Sequence, residues 1–153
     1  MIPLPDPPLR SGELWLRPWR SADAPDLVEA WADEEVRRWT AVPPVRDRAY
    51  AERWIRADAE RRERDLSLDL VVERHGEVAG EVGLSSIDRD EGRAEIGWWT
   101  AAAHRRQGVA STAAGLLVAW ASSTLGLVVV ARCDAANPGS VAVAERAGAM
   151  VLL

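Results

Sequence analysis

A glycine-bearing turn between a strand-like run and a long helix-like run limits this chain more than any other feature. Ala94-Glu-Ile-Gly-Trp-Trp-Thr100 suits a strand, and Arg105-Arg-Gln-Gly-Val-Ala-Ser111 then opens a helical run reaching about Thr124. Arg105, Gly108 and Ala110 set out an R-x-x-G-x-A pattern. The first amides of a helix have no partner inside it, and the helix dipole adds partial positive charge, so such a turn is an anion site. Gly108 lets the backbone come close to a bulky group, while Arg105 and Arg106 bring full charges. The pattern predicts a cradle for a pyrophosphate.

Composition removes several other readings. At 153 residues and 48% hydrophobic, the chain suits one globular domain with a proper core. A net charge of −5 argues against a nucleic-acid partner. All 19 basic residues are arginine, so a Schiff-base lysine and a P-loop lysine are both excluded. One cysteine, Cys133, allows no intrachain disulfide, and two histidines beside it make a structural zinc site a poor fit. No signal peptide and no apolar run of membrane-spanning length is visible, which points to a cytoplasmic enzyme without a membrane partner.

Along the chain, residues 1–12 read as a flexible arm rich in proline, and residues 13–153 as one domain. Leu14–Trp19 suits a first strand. Asp23 and Pro25 mark a helix start, followed by an apolar stripe of Ala24, Leu27, Val28 and Trp31. A short helix is expected over Asp33–Trp39 and a longer one from about Asp47 to Arg64, with Tyr50, Trp54 and Ala57 on one face. From Leu66 the period becomes two, and three strands follow as an antiparallel meander: Leu66 to Val72, Val78 to Leu84 and Arg93 to Thr100. Val109, Ala113, Leu116, Leu117 and Trp120 fall on one face of the next helix. Leu127–Cys133 reads as a strand buried on both faces. Asn137-Pro-Gly-Ser140 opens a last helix, Gly148 stops it, and Met150–Leu153 begins a further strand.

Taken in order, Leu14–Trp19, Ala94–Trp99, Arg105–Ser111 and Asn137–Gly148 resemble the GNAT acyltransferases. The likeness is closest to the branch containing the ribosomal-protein N-terminal acetyltransferases of the RimJ/RimL type. It covers the chain from about residue 13 to its end. It implies an α/β (α+β) GNAT fold: a central mixed, mostly antiparallel twisted sheet flanked by helices. The implied order is strand, two helices, three strands, helix, strand, helix, strand. Relatives continue with strands that wall the acceptor cleft, and here only Val151-Leu-Leu153 follows Gly148, which reads as an end cut short.

The resemblance also implies acetyl-CoA as co-substrate, no metal, and a primary amine as acceptor, either a peptide N-terminus or a small molecule. A homodimer is compatible with it. By position, Gln107, Gly108, Val109, Ala110 and Ser111 would hold the pyrophosphate, with Arg105 and Arg106 near the phosphates. The strand before the cradle would splay from its neighbour at a bulge, leaving main chain at Ile96, Trp98 and Trp99 for the pantetheine amides. Asn137 and Ser140 would lie beside the lower pantetheine arm and the sulfur. A protonated amine is no nucleophile, so a base must take its proton. Glu95 is the first candidate, a salt-bridged strand residue being its equal alternative, and Glu81 is the second. Relatives place a tyrosine near the sulfur; the single tyrosine here is Tyr50, so the Ser140 hydroxyl is the positional substitute unless it only caps the helix. His104 reads as a surface-turn histidine, and Cys133 as too apolar in setting to be a nucleophile. Trp31 and Trp39 lie on helices that wall the acceptor side in relatives, although core packing would explain most of the eight tryptophans. The competing reading is an acyl-CoA-binding module that has lost its chemistry.

Overall fold

The computed structural model describes every residue from Met1 to Leu153. Seven strands form one sheet in sequence order: β1 (Arg10–Ser11), β2 (Leu14–Pro18), β3 (Ser67–Arg74), β4 (Glu77–Asp88), β5 (Arg93–Thr100), β6 (Val128–Arg132) and β7 (Met150–Leu152). The ladders from β1 to β5 are antiparallel, and β5–β6 and β6–β7 are parallel. Parallel neighbours need a crossover. Helix α5 (Val109–Leu125) supplies the first and α6 (Pro138–Ala147) the second.

Period-two alternation places a hydrophobic row on each sheet face. Leu68, Leu70, Val82, Leu84 and Ile96 join Leu117 and Ala121 of α5 in the larger core. Burying each such leucine contributes about 1.5–3 kcal/mol. The opposite face carries a smaller core in which Trp19, Val71 and Trp99 meet α1 (Ala24–Ala32), α2 (Glu34–Trp39) and α3 (Arg48–Arg56).

Several expectations are corrected. The helix expected over Asp47–Arg64 is two, α3 and α4 (Asp58–Glu63), divided at Ala57, whose φ of −83° and ψ of 6° are not helical. The first twelve residues, though mostly exposed, are anchored rather than loose: Ile2 is 0% exposed and its amide bonds the Arg62 carbonyl, while Arg10–Ser11 pairs with β2. The strand after α5 has exposed ends at Val128 and Arg132 rather than two fully buried faces.

The ladder between β5 and β6 is short. It runs from Arg93–Val128 to Glu95–Val130 and stops, so the β6-facing edge of Ile96–Thr100 has no strand partner. The two strands splay from that point. The recorded irregularity lies on β4 rather than on β5: between Ser85 and Asp88 the register slips, and Ser86 takes a φ of +46°.

Candidate functional site

The turn into α5 is built as an anion cradle. Gly108 is the residue before the helix and holds a left-handed φ of +75°, where a side chain is disfavoured. No side chain caps this helix end, and the first recorded bond to the turn runs from the Thr112 amide to the Gly108 carbonyl. The amides of Val109, Ala110 and Ser111 therefore point outward. A Cβ added at Gly108 meets nothing within 4 Å, so the space above the turn is open.

The two arginines of the turn differ. Arg105 is only 27% exposed and is spent on protein partners: Nη2 lies 2.7 Å from Asp33, Nε lies 3.0 Å from Glu35, and Nε donates to the Thr100 carbonyl. Asp33 in turn caps α2 through the amides of Glu35 and Val36, and the Arg105 guanidinium holds its carboxyl below the ordinary range. Arg105 thus clamps the cradle to α2. Arg106 is exposed and makes no ion pair. The Gln107 side chain bonds Arg74 and the Ala103 carbonyl.

A cleft of about 820 Å³ runs from this turn along the free edge of β5. Trp98, Trp99 and Thr100 line one side, and Gly108–Ser111, Asn137 and Ser140 the other. Asn137 is the cap of α6, accepting from the Ser140 amide at 3.1 Å. The cap is therefore Asn137, and the Ser140 hydroxyl is left to face Cys133. Burial pushes the Cys133 thiol up, and the Ser140 hydroxyl partly offsets this.

A second cavity, of about 360 Å³, lies on the α1–α3 face of the sheet. Its walls are Trp31, Tyr50, Trp54 and Trp99, and Glu81 and Asp69 project into it. The rings pack edge to face, with Trp31–Tyr50 centroids 5.9 Å apart and Trp31–Trp54 centroids 6.4 Å apart. Trp98, Trp99, Val36 and Thr40 line both cavities, so the two meet at the open part of β5.

Glu81 stands opposite Trp99 in the β4–β5 register and accepts from the Trp19 indole at 2.7 Å. Burial, then the nearby Asp69 charge, pushes its carboxyl up to about 8; the indoles of Trp19 and Trp99 act the other way. Its side chain keeps some solvent access through the cavity while the protein around it removes most of its hydration. Asp69 is also raised by burial, although Ser67 Oγ at 2.6 Å and Arg61 Nε at 3.1 Å bond it. Glu95, the first candidate base, lies elsewhere: it pairs with Arg132 at 2.6 Å and lines neither cavity. His104 is a further correction to the surface reading. It is 8% exposed, Nε2 lies 3.0 Å from Glu77, and Nδ1 has no partner.

The raised Glu81 carboxyl has a consequence for stability. Between its ordinary 4.5 and about 8 the folded chain holds a proton there that the unfolded chain has released. Stability from this group is complete below 4.5, falls as pH rises, and levels off beyond about 8. Glu81→Gln lacks this loss. Its melting temperature relative to the parent is expected to climb across that window, as thermal melts would show; an offset independent of pH would contradict it.

No helix is long and apolar enough to cross a membrane, and no group of three or more His, Cys, Asp or Glu residues is placed to hold a metal ion. The sequence matches the Acetyltransferase (GNAT) domain family over residues 13–150. It is 32% identical over 126 residues to the uncharacterized N-acetyltransferase p20 of Bacillus licheniformis, covering 78% of this chain and 68% of that protein. Among solved structures, a RimL ribosomal-protein alpha-N-acetyltransferase in complex with coenzyme A superposes with a TM-score of 0.79 at 20% identity, covering 90% of this chain and 80% of the other. The microcin C7 self-immunity acetyltransferase MccE, in complex with acetyl-CoA and AMP, gives 0.77 at 22% identity, covering 90% and 79%.

Proposed function

This chain belongs to the GNAT acetyltransferases and is an acyltransferase enzyme, and from that premise we propose that it moves an acetyl group from acetyl-CoA to a primary amine by direct transfer in a ternary complex. One observation carries the reading: a cleft built on an uncapped helix start and a cavity holding a raised carboxyl meet at the same unpaired stretch of β5. Donor and acceptor can then approach from opposite sides without an acyl-enzyme.

Acetyl-CoA supplies an acetyl group already activated as a thioester. The residues present fit it. The amides from Gln107 to Ser111, of which those of Val109, Ala110 and Ser111 point outward, receive the pyrophosphate, and Arg106 adds the charge nearest to solvent. Arg105 acts through the cradle by holding it to α2. At the open edge the main-chain groups of Ile96 and Trp98 point away from β4, towards the pantetheine amides, while those of Trp99 face β4 and its side chain borders the cleft, with Asn137 and Ser140 along the lower arm. Glu81 takes the proton from the incoming ammonium, oriented by the Trp19 indole. The Ser140 hydroxyl is the donor best placed for a departing thiolate, since Tyr50 lines the acceptor cavity instead. Glu95 holds Arg132 and takes no part in proton transfer.

Initial velocities with both substrates varied test the order of events. Intersecting double-reciprocal lines are expected; parallel lines would indicate a covalent acetyl-enzyme and overturn direct transfer. The arginines separate by readout. Arg106→Ala should weaken acetyl-CoA binding about tenfold, the loss of one charge-assisted bond, with an unchanged melting temperature. Arg105→Ala should lower the melting temperature, because Asp33 and Glu35 lose their shared partner. Calorimetry and thermal melts on both variants check this, and equal behaviour of the two would refute the division.

A further inference from the structure

Part of the floor of the acceptor cavity carries no side chains. Gly83 and Gly97 face each other across β4 and β5, one step along the same sheet face from Glu81 and Trp99. A Cβ at Gly83 would come within 2.7 Å of the Leu68 carbonyl, so that glycine is required by the sheet itself. A Cβ at Gly97 would meet nothing within 4 Å. Gly97 is thus free to carry a side chain, and its absence leaves a flat patch of peptide backbone open beneath Trp31, Tyr50 and Trp54.

The charges inside the cavity are unequal. Asp69 is already offset by the Arg61 guanidinium and bonded by Ser67. Glu81 receives indole N–H donors and touches no cation. Once it has given up its proton, near pH 8, this one carboxyl is free to meet one positive charge. Apart from the hydroxyls of Thr40 and Ser85, the remaining walls are aromatic and apolar, suited to a flat body and to the face of an ammonium. The rim at Thr40, Ala41 and Pro43 offers no second carboxyl. At about 360 Å³ the cavity is near the small end of ligand pockets.

We infer that the acceptor is a compact monoamine with a flat aromatic body, its ammonium at Glu81 and its ring over the Gly83–Gly97 floor against Trp31, Tyr50 and Trp54, and that Gly97 sets this specificity. The inference rests on the acetyl-transfer reading above. A long polyamine would bring a second charge with no carboxyl to meet it. A peptide would bring main-chain groups into a wall with few partners for them.

The test uses the full chain with 2-phenylethylamine, spermidine and a tripeptide with a free amino terminus. The kcat/KM for 2-phenylethylamine is expected to exceed both others at least tenfold. Without acetyl-CoA, 2-phenylethylamine should change the tryptophan fluorescence saturably and spermidine should not. Gly97→Ala and then Gly97→Val should lower kcat/KM for 2-phenylethylamine progressively, by tenfold or more for valine, with acetyl-CoA affinity unchanged and a melting temperature no lower than the parent's. Preference for spermidine or the tripeptide, or an unaltered Gly97→Val enzyme, overturns the inference and leaves acetyl transfer standing. No turnover of 2-phenylethylamine and no fluorescence response to it overturn the inference alone; the acetyl-transfer reading falls only if no primary amine of any class releases thiol from acetyl-CoA.

Discussion

Glu81→Gln is expected to lower kcat/KM for the amine by about 10²–10⁴-fold, the usual contribution of a positioned base. The substitution keeps the size of the side chain and an oxygen for the Trp19 indole, so the cavity should hold its shape. Acetyl-CoA affinity should not change, because Glu81 lies outside the cleft that runs to the cradle. The parent enzyme should show an inflection in kcat/KM near pH 8, where the carboxyl gives up its proton, and the variant should lack it. Glu95→Gln supplies the contrast. It frees Arg132, a largely exposed partner, and should stay within about threefold of the parent, as loss of an exposed pair does. A pH–rate series on the two variants decides between the carboxylates. If Glu95→Gln is the crippled enzyme, the assignment of the base is wrong.

The second large effect belongs to the cradle. Gly108→Val should weaken acetyl-CoA binding on the order of a hundredfold, equivalent to about 2.7 kcal/mol. Two causes act together. The side chain would enter the open space above the turn, and the φ of +75° forces a β-branched residue into a strained conformation. The strain alone costs about 1–3 kcal/mol and will lower the melting temperature. Gly108→Asn separates the causes, because asparagine tolerates the left-handed region. It should keep most of the thermal stability and still lose affinity by titration calorimetry. Full affinity in both variants would place the pyrophosphate elsewhere.

Local signals were legible where one short segment does the work. The turn at Gly108, the strand Arg93–Thr100, the helix start at Asn137 and the stop at Gly148 all follow from neighbouring residues and appear where their chemistry puts them, although the capping side chain is Asn137 rather than Ser140. What resisted reading depends on register. Glu81 and Glu95 lie on the same sheet face by their partners Trp99 and Ser85, so alternation does not rank them. Their difference comes from residues distant in the chain: Trp19 supplies an indole to one, and β6 carries Arg132 to the other. The aromatic cavity is likewise assembled from α1, α3 and β5. The division at Ala57 has no glycine or proline to announce it, and the burial of Ile2 depends on a carbonyl at Arg62. Gly97 could be flagged only with the strands aligned, because its meaning is the room around it.

The most direct test of the account is a product balance: acetyl-CoA and 2-phenylethylamine incubated with the enzyme, with free thiol and amine products quantified together by mass spectrometry. The account predicts one N-acetylated amine for each free thiol in the parent and almost none of either in Glu81→Gln. Tight acetyl-CoA binding with no acetylated amine from any primary amine would contradict it and leave a binding module in its place.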